Sequence, residues 1–192
     1  MKAALDFYFD FSSPYGYLAS QKIEALAAKH GRGVTWRPML LGAAFKATGA
    51  APLPSIPLKG EYAKRDFLRS ARFHDVPFRI PDQFPISTLH ACRAFYAAAD
   101  SAQAVRLVKA LYRAYFVDNV HIGEADNVLK VAGALGLKPD LNDQALKDKT
   151  RAEVDAAVAK GVFGSPYIVV DGEPFWGMDR FEQLERWLRE PF

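Results

Sequence analysis

The chain has 192 residues, half of them hydrophobic and 24% charged, so it carries enough apolar material for a core and is neither disordered nor of low complexity. Its single cysteine excludes an internal disulfide, and the histidines at 30, 74, 90 and 121 lack metal-ligand spacing, so no metal is expected. The net charge of +3 is uneven, +6 over residues 1–80 and −3 over 151–192, but the basic residues alternate with carboxylates and no aromatic-basic motif accompanies them, which argues against a nucleic-acid partner.

Asp6 and Asp10 interrupt the opening MKAALDFYFDF, which therefore does not read as a secretory signal. No stretch approaches the roughly 18 apolar residues of a membrane span, so a soluble, cytoplasmic protein without membrane contact is expected. Residues 5–11 (LDFYFDF) read as a strand buried on both faces. Ser12-Ser13-Pro14 gives an N-cap and a proline at the first helical position, and 15–30 follows as a helix ended by Gly31. Residues 33–39 read as a second strand, giving a strand-helix-strand unit of parallel α/β type.

A proline-rich loop spans 48–57, and from about 58 to 160 only helical patterns occur, broken at 75–85, 118–123 and 136–140. The helix at 86–99 places Leu89, Cys92 and Tyr96 on one face. Residues 167–170 (YIVV) form a strand, Asp171-Gly172 a hairpin turn and 173–176 its partner, before a last helix over about 179–189. The expected fold is α/β, thioredoxin-like, with a large all-helical insertion. Residues 1–40 and 150–192 build the thioredoxin-like domain and 41–149 the insertion.

No dinucleotide, P-loop or nucleophile-elbow motif is present. Cys92 sits mid-helix on an apolar face, where a small core residue is expected rather than a nucleophile. The informative turn is Ser13-Pro14-Tyr15-Gly16, where thioredoxin-like proteins carry C-x-x-C; Ser and Gly at the two sulfur positions exclude dithiol chemistry. Ser13 then reads either as a helix cap alone or as a hydroxyl facing an incoming anion or thiolate. Gly164-Ser165-Pro166, just before the strand at 167, favours the second reading, because a cis proline there would offer the Ser165 backbone to an extended ligand. Pro166 as a plain strand opener is the alternative.

These residues carry a resemblance. Phe7-Tyr8-Phe9-Asp10-Phe11-Ser12-Ser13-Pro14-Tyr15, Gly161 to Pro166 and Trp176-Gly177-Met178-Asp179-Arg180 resemble the 2-hydroxychromene-2-carboxylate isomerases and kappa-class glutathione transferases, in the DsbA-like branch of the thioredoxin superfamily. The resemblance implies glutathione as cofactor, a small aromatic carboxylate as substrate and a homodimer. It implies that Ser13 is catalytic and holds the glutathione thiolate, that Ser165 and Pro166 pair with the tripeptide, and that Met178 and Asp179 receive its γ-glutamyl end. Lys59 matches a lysine near the glycyl carboxylate, although a solvated loop lysine is an equal reading. Phe11, Tyr15 and Trp36 are expected to line the slot for the substrate ring, with plain core positions as the alternative. The chain departs from the family in having no Asn within 41–57 and His90 where Arg is more frequent. The implied activity is glutathione-dependent isomerisation of a conjugated aromatic keto acid, with a kappa-like transferase or peroxidase, then a non-catalytic peptide-binding module, as rivals.

Overall fold

A computed structural model describes residues 3–192. The chain opens with β1 (Leu5–Phe9), α1 (Pro14–Ser20), α2 (Ile23–Lys29) and β2 (Val34–Pro38). Helices α3 (Leu41–Thr48), α4 (Lys59–Phe73), α5 (Leu89–Tyr96), α6 (Ser101–Phe116), α7 (Ala125–Ala134) and α8 (Gln144–Ala159) follow, with a 3-10 turn at Leu53–Ser55. The hairpin of β3 (Tyr167–Val170) and β4 (Glu173–Trp176), a 3-10 turn at Met178–Arg180 and α9 (Phe181–Arg189) complete it. The sheet order is β2-β1-β3-β4; β1 and β2 are parallel, and the other neighbours are antiparallel. This is the α/β, thioredoxin-like arrangement expected from the sequence.

The aromatic run explains the central place of β1. Leu5, Phe7 and Phe9 are fully buried in the main core, whereas Tyr8 points into a second cluster with Met39, Ala44, Ala157, Val162 and Tyr167. A strand covered on both faces needs apolar residues at successive positions. Phe9 anchors the aromatic core, with its ring centroid within 6.3 Å of those of Phe7, Phe11, Trp36, Phe95 and Tyr112.

Several helices differ from the sequence reading. The helix expected over 15–30 is two helices, because the N–H groups of Gln21 and Lys22 bond back three residues, to Leu18 and Ala19, while the Ser20 hydroxyl donates to the Tyr17 carbonyl at 2.6 Å. Such back-bonding competes with the regular ladder and bends the chain. The expected 86–99 helix runs only from Leu89 to Tyr96, and Asp100 then caps α6 by accepting from the Gln103 N–H at 2.7 Å. Helix α3 was not anticipated: its first N–H, on Leu41, is satisfied at 2.7 Å by the Asp10 carboxylate, a tertiary cap that no local pattern announces.

The expected boundary at residue 150 falls inside α8, which runs unbroken to Ala159 and packs Ala157 against the sheet cluster. Leu107, Leu111 and Phe116 of α6 and Val128 of α7 belong to the same core as β1. Insertion and sheet therefore share one hydrophobic interior.

Close packing also holds α4 in place. A Cβ on Gly60 would lie 2.3 Å from the Pro54 carbonyl oxygen, so α4 can approach the 3-10 turn only because residue 60 is glycine. Gly60→Ala should destabilise the protein by about 1–3 kcal/mol in urea unfolding. Gly133→Ala in α7, where an added Cβ meets nothing within 4 Å, should be neutral or stabilising by up to about 1 kcal/mol.

Candidate active site

A cavity of about 1400 Å³ opens between the end of β1 and the helical insertion. Ser13, Tyr15, Ser165, Pro166, Met178 and Asp179 all line it, so the structure brings these six sequence-identified residues together. The walls are completed by α3, the 3-10 turn after it, one side of α4 and residues 84–88.

Ser13 sits at the N-cap of α1 with extended backbone angles and accepts from the Gly16 N–H at 3.0 Å. Its hydroxyl proton goes elsewhere, to the Ser165 carbonyl at 2.9 Å. Both serines are nearly enclosed, 5% and 9% exposed, and the Ser165–Pro166 bond is cis, as expected from the sequence. The close approach depends on Gly16: an added Cβ would lie 2.6 Å from Ser165 Oγ and 3.0 Å from the Tyr112 hydroxyl. The residue at the second sulfur position of the thioredoxin turn is thus a steric requirement as well as a missing thiol.

Beside this pair lies Asp10, nearly fully buried at the cavity lining and not identified from the sequence as a site residue. Its Oδ1 accepts from the Ser12 N–H at 2.7 Å and the Thr88 hydroxyl at 3.0 Å, and its Oδ2 accepts from the Leu41 N–H. Its own N–H donates to Ser165 Oγ at 3.0 Å, and its carbonyl accepts from the Ser13 N–H and the Tyr112 hydroxyl, each at 3.0 Å. Burial pushes the Asp10 carboxyl above its ordinary range, while the donors from Leu41, Ser12 and Thr88 pull the other way. The signal for it was present in the sequence: a carboxylate inside a run of aromatics buried on both faces needs partners.

Tyr15 is half-buried, with its ring edge-on to Phe67 at 5.1 Å and its hydroxyl donating to Asp66 on α4. Burial and the Asp66 carboxylate together raise the phenol far above its usual value. Burial pushes Asp66 upward, but hydrogen bonds from Tyr15 and Arg69 outweigh it and hold the carboxyl below the usual range. Met178 is buried, and Asp179 is exposed beside it, paired with Arg180 at 2.9 Å. Asp179 makes no capping bond to α9. Gly177 permits the turn with φ of 100°, and its N–H donates to the Pro166 carbonyl at 3.0 Å, tying the Asp179 turn to the proline.

Three expected residues lie elsewhere. Phe11 is fully buried between Phe9 and Tyr112, and Trp36 packs edge-on against Phe7 and Phe9. Neither lines the cavity, because both stand on the core side of the sheet; the expectation of a ring slot there is corrected. Lys59 is exposed at the start of α4 and does not line the cavity either. Exposed aromatics that do line the cavity include Phe73, Phe163 and Trp176, the last two 41% and 56% exposed and edge-on at 4.9 Å. Among the described residues, no cluster of three or more His, Cys, Asp or Glu side chains could hold a metal, and no helix is long and apolar enough to cross a membrane.

Cys92 is fully buried, its thiol 3.7 Å from the Met39 carbonyl, and burial followed by the nearby Asp10 raises its pKa well above the ordinary thiol value. It should therefore resist a thiol-specific disulfide reagent in the native protein up to about pH 9 and react fully once unfolded. Rapid labelling of the folded protein would contradict this placement. Ser13→Ala removes both the helix cap and the donor to a buried carbonyl, so it should destabilise the free protein by about 2–3 kcal/mol, more than the ~1 kcal/mol of a cap alone. Urea unfolding measures the difference.

Comparison with known proteins accords with this geometry. The DSBA-like thioredoxin domain model matches residues 4–189. The chain is 31% identical to a 2-hydroxychromene-2-carboxylate isomerase of Sphingobium xenophagum, over 98% of this chain and 99% of that one. It is 28% identical to glutathione S-transferase kappa 1 of Caenorhabditis elegans, over 97% and 91% respectively. A solved 2-hydroxychromene-2-carboxylate isomerase structure superposes with a TM-score of 0.85 at 27% identity, covering 95% of this chain and 92% of the other. The chain therefore belongs to the DSBA-like thioredoxin family, in the branch of the 2-hydroxychromene-2-carboxylate isomerases and kappa-class glutathione transferases.

Proposed function

We propose that the protein is a glutathione-dependent isomerase of 2-hydroxychromene-2-carboxylate or a similar conjugated aromatic keto acid. The observation that carries this reading is the Ser13 hydroxyl bonded to the Ser165 carbonyl in the wall of one cavity. A donor for a thiolate and a backbone edge for an extended peptide are thereby adjacent. The cavity volume adds support, since about 1400 Å³ exceeds the roughly 300–1,000 Å³ of a site for one small ligand and leaves room for a tripeptide and an acceptor together.

In this reading the cysteinyl backbone of glutathione pairs with Ser165 beside Pro166. Its γ-glutamyl end reaches the Met178-Asp179 turn, where the exposed carboxylate receives the ammonium group. The thiol proton leaves to water through the open mouth of the cavity, and Ser13 donates its hydroxyl to the resulting thiolate. The hemiketal ring of the chromene first opens, its ring C–O bond breaking and the hemiketal proton passing to the phenol oxygen, to give the conjugated keto acid. The thiolate then adds to the double bond; a C–S bond forms and the π pair moves onto the carbonyl oxygen as an enolate. Rotation about the new single bond follows. The enolate then re-forms the double bond, the C–S bond breaks and the thiolate is returned, so nothing is consumed. Tyr15, held by Asp66, and the Phe163–Trp176 pair supply aromatic surface for the acceptor.

The test is calorimetric titration with glutathione, followed by isomerisation of 2-hydroxychromene-2-carboxylate and, in parallel, conjugation of chlorodinitrobenzene. Glutathione should bind, and isomerisation should dominate. Ser13→Ala should lower kcat about 10- to 100-fold at neutral pH, the value of one hydrogen bond to a charged sulfur. The loss should shrink as pH rises, because the thiol then ionises unaided. Conjugation without isomerisation would replace this reading by a kappa-like transferase. Absence of glutathione binding would overturn both.

A further inference from the structure

The Ser13 hydroxyl has one proton and, in the free protein, that proton is committed. Its oxygen accepts from the Gly16 N–H at 3.0 Å and its hydrogen points to the Ser165 carbonyl at 2.9 Å. A serine hydroxyl cannot donate to a second acceptor at the same time. Turning it toward a sulfur would strip the donor from a carbonyl whose residue is only 9% exposed, and an unpaired buried acceptor opposes the turn. The Ser165 Oγ accepts from the Asp10 N–H, and among the described residues the one hydroxyl donating to the Ser165 carbonyl is that of Ser13. The surroundings are tight as well: a Cβ added at Gly16 would lie 2.6 Å from Ser165 Oγ and 3.0 Å from the Tyr112 hydroxyl.

We propose that Ser13 activates a thiol only when the ligand's own backbone N–H takes over the Ser165 carbonyl, so that extended-strand pairing is the condition for thiolate stabilisation. This rests on the glutathione reading above and adds a rule for which thiols qualify: the sulfur must be carried one carbon from a backbone position whose N–H can reach Ser165. The hydroxyl then rotates from carbonyl to sulfur while the carbonyl keeps a donor. Simple thiols, and peptides lacking that N–H, can enter the cavity and remain inactive. The device selects its cofactor by hydrogen-bond exchange and needs no movement of the backbone.

The test compares glutathione with its ester analogue, in which the cysteinyl N–H is replaced by oxygen, each at saturating concentration on the wild-type protein. Thiolate absorbance against pH reads the sulfur. Bound glutathione should titrate about one to two pKa units below the bound ester analogue, equivalent to a 10- to 100-fold difference in thiolate fraction below both pKa values. On Ser13→Ala the two should titrate together. A second measurement avoids the sulfur altogether: γ-glutamylalanylglycine should bind Ser13→Ala at least as tightly as wild type, because its N–H satisfies a carbonyl that the substitution has orphaned. Equal lowering of both thiols on the wild-type protein would overturn the proposal. So would a Ser13→Ala change that weakens the alanyl peptide as much as glutathione. Failure of glutathione itself to bind, seen first by calorimetry, would instead remove the functional reading, and this inference with it.

Discussion

Asp10 stands at the end of the central strand with its carboxyl group enclosed by protein, and each side-chain oxygen is held by groups from a different part of the chain. Taking a carboxylate out of water is unfavourable by several kcal/mol unless donors replace the lost hydration. Here the donors are two backbone N–H groups and a hydroxyl, from the α1 turn, the start of α3 and the residue preceding α5. Each must be in place for the group to be tolerated, so the burial of one side chain constrains the positions of three cavity walls. The backbone of the same residue reaches a fourth and a fifth element through Ser165 and Tyr112. Burial raises its pKa while the donors from Leu41, Ser12 and Thr88 lower it, so losing any one donor would leave a poorer site for the charge.

Ser13 inherits its position from this arrangement. Its N–H is bound to the Asp10 carbonyl, and the loop that faces it is tied to Asp10 through the Ser165 hydroxyl. The serine hydroxyl and the Ser165 carbonyl meet at 2.9 Å because both are referred to the same residue. Gly16 completes the condition by leaving open the space a Cβ would occupy. The geometry of the turn thus depends on a residue whose backbone bonds both Ser13 and Ser165.

What was legible in the sequence follows from how local each signal is. The hairpin at 167–176, the breaks between most helices of the insertion and the Ser13-Pro14 helix start are set by neighbours in sequence, and the structure reproduces them. The aromatic run marked β1 as a strand buried on both faces, because successive apolar residues leave no face for water. Helix α3 was invisible for the opposite reason: its cap comes from Asp10, across the β1–β2 pair. Ser13, Ser165, Pro166, Met178 and Asp179, singled out by their motifs, do line one cavity. The placement of Phe11 and Trp36 was not readable, since an aromatic ring in a strand looks the same whether it faces a core or a cavity, and only the packing around Phe9 decides. Asp66 escaped for want of any local pattern; it matters because α4 crosses Tyr15 in space.

The S-x-x-G turn also determines where reactivity must come from. The only cysteine lies away from the cavity lining, its thiol raised by burial and by Asp10 into a range where it stays protonated. No side chain at the turn can itself act as a sulfur nucleophile, and Ser13, spent on a carbonyl and a helix cap, is not arranged as an oxygen nucleophile: no base is bonded to its hydroxyl, only the Ser165 carbonyl. A turn built this way can stabilise a charge but cannot generate one. Under the function proposed above, the missing nucleophile is a sulfur carried on an extended peptide; in that reading the protein contributes a hydrogen-bond donor, a backbone edge and the cavity, and the peptide contributes the reactive atom.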